Sequence, residues 1–102
     1  MNYMANLNRF YDSLLGNELA MGQIVLWQAL MQIANRKMWP EWFSAPTNQL
    51  RVYTRLSESG VRDAAAELAR MGLIEIRGSR KAKEYHLVDL APGVQNPVQN
   101  PE

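Results

Sequence analysis

The chain has 102 residues, 47% of them hydrophobic, with a formal net charge of +1, which fills one modest core and excludes a multidomain enzyme. Cysteine is absent, so disulfides, thiolate metal sites and a cysteine nucleophile are excluded, and a reducing compartment suits the composition. No apolar run is long enough to cross a bilayer, and Met1-Asn2-Tyr3-Met4 lacks the basic and apolar parts of a secretory signal; a cytoplasmic protein without a membrane partner is expected.

Met4, Leu7, Tyr11 and Leu14 recur at three- and four-residue spacing, with Phe10 and Leu15 beside them, and predict an amphipathic helix ending near Gly16-Asn17. A second helix is predicted over residues 21–37, carrying Ile24, Val25, Trp27, Leu30, Met31 and Ala34 plus Leu26 and Ile33. A helix apolar on more than one side needs more than one packing partner, either the first helix or a second copy of the chain. Pro40 disfavours a helical Trp39, and Trp42-Phe43 before Ser44-Ala45-Pro46 reads as a short extended segment that could add a strand to a sheet. Trp39, Trp42 and Phe43 together predict a buried corner.

Thr47 or Asn48 supplies an N-cap oxygen for a short helix through residues 50–55, with Leu50 and Tyr53 turned inward. Ser57 caps the next helix, residues 58–71, which buries Val61, Ala64, Ala65, Leu68 and Met71 and is closed by Gly72 in the left-handed position. Residues 73–77 and 84–90 alternate as two strands around the basic hairpin Gly78-Ser79-Arg80-Lys81-Ala82-Lys83. The order is that of a winged helix-turn-helix: mainly α with a small β-hairpin wing, spanning residues 1–90 with an N-terminal helical extension. Residues 91–102 read as a disordered linker, because Val94-Gln95-Asn96-Pro97 repeats as Val98-Gln99-Asn100-Pro101 and cannot build a core. A linker in that place marks the N-terminal module of a longer protein.

Arg51, Arg55, Ser57, Ser59 and Arg62 lie on or beside the turn and the first turn of its second helix, where a recognition helix meets base edges and phosphate. Arg62 is the best base reader among them; Glu58, Asp63 and Glu67 oppose tight groove binding by repelling phosphate. Arg77, Arg80, Lys81 and Lys83 cluster around the hairpin, and four phosphate contacts would give a log affinity against log salt slope of about −3.6. The competing role of these charges is to keep a hairpin tip soluble and its edge unpaired. Residues 47–90 hold eight basic and six acidic groups, so duplex DNA is expected to bind with modest affinity.

Burial explains Trp27, Trp39, Trp42, Phe43, Tyr53 and Tyr85 better than stacking on unpaired bases. His86 is the only histidine and has no second ligand near it, so no metal or other cofactor is expected. No phosphate-binding glycine loop or paired catalytic carboxylates are present, and the protein is expected not to be an enzyme.

Ile33-Ala34-Asn35-Arg36-Lys37, Trp39-Pro40-Glu41-Trp42-Phe43, Asn48-Gln49-Leu50, Thr54, Leu56-Ser57, Glu67-Leu68 and Met71-Gly72-Leu73-Ile74 resemble the N-terminal domains of bacteriophage replisome organisers and DnaD-like primosomal proteins. The resemblance covers roughly residues 15–90 and is most specific at residues 35–43. It implies a winged-helix module that helps start replication by binding origin DNA, by self-assembly or by both. It also implies recruitment of a helicase or helicase loader through other parts of the full-length protein. Family members often carry Gly after the residue matching Thr54, where this chain has Arg55, so a slightly different turn and an extra basic group are expected. For DnaD-like proteins the resemblance implies an N-terminal domain associated with oligomerisation and DNA affinity largely in the C-terminal domain, a division that the weak charge excess fits.

The leading expectation is a non-enzymatic DNA-binding and assembly module of a replication initiation protein. Arg62 and Ser59 face the groove in that reading, and Arg80, Lys81 and Lys83 face phosphates. A second reading is a homo-oligomerisation scaffold in which Met4, Leu7, Phe10, Tyr11 and Leu14 pack against another copy. A third is a winged-helix transcriptional regulator.

Overall fold

A computed structural model describes residues 1–94. The VQNP repeat from residue 95 onward, and with it most of the expected linker, lies outside the described residues. The elements in chain order are α1 (Tyr3–Ser13), α2 (Met21–Arg36), β1 (Phe43–Ser44), α3 (Thr47–Thr54), α4 (Glu58–Arg70), β2 (Ile74–Gly78) and β3 (Lys83–Leu87). The fold is therefore mainly α with a small antiparallel sheet, and among the described residues no helix is long and apolar enough to cross a membrane.

The described chain divides into two units, one made of Ala20–Val88 and the other of Met1–Leu19 with residues 89–94. In the larger unit, α2 begins where the Gln23 side-chain oxygen accepts the Ala20 N–H at 2.9 Å. The helix buries Leu26, Trp27, Ala29, Leu30, Met31, Ile33 and Ala34. Its apolar surface is shared between α3 and α4, which both pack on it, so two partners within the unit answer the wide apolar face. Gly22 lets the turn before α4 come close: a Cβ there would stand 3.3 Å from Leu56 Cδ2. After α2 the chain reverses through left-handed backbone at Met38 (φ 66°) and Trp39 (φ 59°). The Trp39 N–H reaches back to the Ala34 carbonyl at 2.8 Å, closing the helix end as a Schellman-type bond does. Phe43 is buried there, while Trp39 and Trp42 are half-buried, so only part of the expected corner is interior.

The short extended segment forms β1 and pairs antiparallel with β3, giving the sheet order β1-β3-β2. The register sets Phe43 opposite Tyr85 and Ile76 opposite Tyr85 from the other side, with Ile74 opposite Leu87. Period-two alternation then sends Phe43, Ile74, Tyr85 and Leu87 into the core and leaves Glu75, Arg77, Glu84 and His86 on the outer face. Gly78 (φ 93°) has no room for a side chain, because a Cβ would run into the Ala82 carbonyl oxygen. The tight hairpin needs glycine there.

The structure departs from the sequence reading in several places; α4 ends at Arg70, and Met71, expected to be buried, is its half-buried C-cap. Pro46, not Thr47 or Asn48, is the N-cap of α3, with no side-chain cap bond. Its backbone is already set by the ring, and its carbonyl accepts the Leu50 N–H at 3.1 Å. Tyr53 is 46% exposed rather than inward; the inward pair is Leu50 and Thr54, four residues apart, and the Tyr53 hydroxyl accepts from Gln49. β3 stops at Leu87, and residues 89–91 leave the sheet to join the smaller unit.

That smaller unit is organised by a polar side chain. Asn2 caps α1 through the Ala5 N–H at 2.9 Å. One turn on, fully buried Asn6 donates to the Asn2 carbonyl and to Asp89 Oδ1, each at 2.9 Å, and its amide oxygen accepts the Leu90 N–H at 2.6 Å. Ala91, expected as the start of a linker, is 1% exposed, and its N–H donates to Asp89 Oδ1. Asn2, Asn6 and Phe10 thus form the buried stripe of α1, and the helix is turned away from the Met4-Leu7-Tyr11-Leu14 face read from hydrophobicity alone. Replacing Asn6 by Ala orphans the Leu90 N–H and is expected to cost about 1–3 kcal/mol. A lowered thermal midpoint and faster hydrogen exchange at the Leu90 amide are the expected readouts; unchanged exchange there would show that Asn6 does not hold this segment.

Candidate nucleic-acid interface

The turn between α3 and α4 is built from the four consecutive residues Thr54 to Ser57. Thr54 Oγ1 donates to the Leu50 carbonyl at 2.7 Å and accepts the Leu56 N–H at 3.2 Å. Arg55 takes left-handed backbone (φ 64°), the conformation that a glycine would occupy without cost. Ser57 then caps α4 by accepting the Gly60 N–H at 3.0 Å. Its oxygen is committed to that cap, and Ser59 Oγ lies 3.3 Å from it on the exposed side.

α4 buries Val61, Ala64, Ala65 and Leu68 and turns Glu58, Ser59, Arg62, Asp63 and Arg70 to solvent. Glu58, Arg62, Val61, the α3 residue Thr47 and the hairpin residues Arg80, Lys83 and Tyr85 line one small cleft of about 50 Å³. Two elements distant in sequence, α4 and the hairpin, therefore bring three cations to one place beside Thr47 of α3. Burial pushes the Tyr85 phenol above its usual range, so it stays neutral at the floor of this cleft. Arg51 and Arg55 line a separate, wider concavity of about 390 Å³ with Asn48, Val52 and Leu56. Lys81 is exposed on the hairpin and lines neither.

The cations are not equally available. Arg77 bonds Glu84 at 2.7 Å, and its guanidinium lies 4.2 Å over the Trp42 ring. It ties Glu84 to Trp42 across the outer sheet face. Arg70 is bound by two nitrogens to Glu67, which holds the Glu67 carboxyl below the usual carboxylate range and the guanidinium above its own. Arg62 touches Asp63 at 3.8 Å, loosely, with both side chains mostly exposed. Among the described residues, Arg51, Arg55, Arg80, Lys81 and Lys83 carry no ion pair.

Of the residues read as a self-association face, Met4 and Tyr11 are exposed, at 64% and 42%, and Leu7 and Leu14 are half-buried. Phe10 is 0% exposed and cannot reach a second copy; it follows Asn6 by one turn on the inward stripe. Trp27, Phe43 and Tyr85 are buried and Trp42 is covered by Arg77, so none offers a free ring face to a base. His86 bonds the Glu41 carbonyl through Nδ1 at 2.7 Å and packs on Trp42. Among the described residues no cluster of three His, Cys, Asp or Glu could hold a metal ion.

Because Arg55 bears the steric cost of left-handed backbone, replacing it with Gly is expected to stabilise the chain by about 1 kcal/mol. That corresponds to a rise of roughly 4–8 °C in the thermal midpoint of a small domain. Arg55→Ala keeps the strain and is expected to leave the midpoint near its original value; equal midpoints for the Gly and Ala variants would show that the turn carries no such strain.

No protein-family model, curated protein or solved structure matches this chain.

Proposed function

We propose that this chain is a winged helix-turn-helix module that binds duplex DNA without catalysing a reaction, and that it serves replication initiation. The observation that carries the DNA reading is the cleft where Arg62 of α4 meets Arg80 and Lys83 of the hairpin beside Thr47 of α3. Such a grouping suits a helix entering the major groove while the hairpin follows the neighbouring phosphates. The order α2, β1, α3, α4, β2, β3, with the short strand paired to the last one, supports the winged-helix reading. The left-handed Arg55 agrees with the resemblance noted above, since a family glycine at that place would serve the same backbone. That resemblance supports the assignment to replication over transcription. Helicase or loader recruitment is assigned to other parts of the full-length protein.

The supply of available cations sets the strength. Arg80, Lys81 and Lys83 give three candidate phosphate contacts on the hairpin, and Arg51 and Arg55 lie on the adjoining helix and its turn. Outward carboxylates on α4 work against them, so binding is modest and salt-sensitive. At about 50 mM salt the chain is expected to shift a duplex, with each hairpin cation adding about −0.9 to the slope of log affinity against log salt. Replacing Arg80, Lys81 and Lys83 together with Ala is expected to flatten the slope by about 2.7. An undiminished slope in that variant, or no binding by the original chain at low salt, would refute the reading.

Self-assembly through α1 is a second, compatible reading, favoured by the exposure of Met4, Tyr11 and Leu15 at 64%, 42% and 91%. Light scattering is expected to give at least twice the mass of one chain, reduced by Met4→Glu with Tyr11→Glu. A single-chain mass at high concentration removes this reading.

A further inference from the structure

Glu58 and Arg62 are four residues apart in the first two turns of α4, so their side chains stand one above the other on one face. Both line the cleft that also holds Arg80 and Lys83. Among the described residues no ion pair joins Glu58 to any of these three cations, so its acceptor oxygens are uncommitted. Arg62 has only its loose 3.8 Å contact with Asp63 to release. An uncommitted carboxylate among the cations of a phosphate-binding cleft weakens affinity for every duplex alike. Its presence is accounted for if it recognises something that only some duplexes offer.

We propose, resting on the DNA-binding reading above, that α4 selects a G·C base pair in the major groove, with Arg62 donating to guanine and Glu58 accepting from cytosine. The two side chains complement that pair. Guanine presents N7 and O6 as adjacent acceptors, which a guanidinium fork meets with two parallel bonds, and the paired cytosine presents the N4 amino group as a donor, which a carboxylate accepts. An A·T pair separates its two acceptors by the adenine amino group and ends in the thymine methyl group, so the fork cannot close on it and the carboxylate beyond meets no donor. The spacing of about 5–6 Å between such side chains on a helix lies within the breadth of one base pair or two neighbouring ones.

Phosphate contacts from Arg80 and Lys83 hold α4 in register but carry no base information. Repulsion between Glu58 and the phosphates is the same on every sequence, while its bond to cytosine forms only at G·C, so Glu58 exchanges affinity for selectivity.

The test uses the full chain and two labelled duplexes of equal length, about 20 base pairs, one built only of G·C pairs and the other only of A·T pairs, read by fluorescence anisotropy at about 50 mM salt. The chain is expected to bind the G·C duplex about fivefold more tightly or better. Arg62→Ala is expected to bring the two affinities together. Glu58→Gln is expected to tighten binding to the A·T duplex, because phosphate repulsion is removed and an amide can pair with adenine. The triple hairpin variant is expected to weaken both duplexes by the same factor and keep their ratio. Equal affinities for the two duplexes in the original chain, or a ratio that survives both single substitutions, overturns this inference and leaves duplex binding standing. Failure to bind either duplex overturns both.

Discussion

The three-residue turn at Arg55-Leu56-Ser57 decides how α4 is seated, and with it where Glu58 and Arg62 lie. It joins α3 to α4 with no slack: Thr54 Oγ1 donates back to the Leu50 carbonyl and accepts the Leu56 N–H, Arg55 is held in left-handed backbone, and Ser57 opens the next helix. Leu56 is packed against the places where Gly22 and Gly60 lack side chains. A Cβ at Gly60 would stand 3.2 Å from Ser57 Oγ and 3.3 Å from Leu56 Cβ, tighter than comfortable van der Waals contact. The turn can therefore rest directly on α2, and the outward face of α4 follows from that seating.

The sheet performs the second half of the positioning. Buried Tyr85 pairs with Phe43 on one side and Ile76 on the other, which anchors the hairpin to both the aromatic segment and the strand after α4. On the opposite face, Arg77 spans Glu84 and Trp42. A guanidinium over an aromatic ring gains about 0.5–1 kcal/mol where solvent reaches it, and a partly exposed ion pair gains a similarly small amount. These are modest terms, but they keep the root of the hairpin ordered. Its tip, with Arg80 and Lys81, carries the charge that is left available.

Charge accounting changes meaning once partners are known. The excess of basic groups over residues 47–90 is small, yet the carboxylates are not spread evenly among the cations. Glu67 neutralises Arg70 and Glu84 neutralises Arg77, both away from the cleft. The hairpin tip and α3 keep their positive charge, while α4 is close to balanced. In the proposed complex, affinity then comes from elements flanking α4, and α4 itself contributes discrimination.

Local signals were strong enough to read α4, its Ser57 cap, the Gly72 stop and the two hairpin strands from the residues themselves, because capping chemistry, helix period and strand alternation all act within a few positions. The left-handed backbone at the α3 end was not legible: Arg is not a residue that advertises it, and its standing where family members often carry Gly pointed to a slightly different turn. Tyr53 and Phe10 were misplaced for a shared reason: both lie on short helices where several faces carry apolar groups, and hydrophobicity alone does not choose among them. The choice at α1 was made by Asn6, whose amide needs Asp89 and Leu90, more than eighty positions away. Likewise, that Arg62, Arg80 and Lys83 share a cleft with Glu58 while Arg77 is drawn off to Trp42 depends on strand register and on the seating of the turn. The chain's own order of residues determined the elements and their caps; only tertiary packing decided which charges meet, because ion pairs and buried amides are settled by distances that no spacing along the chain contains.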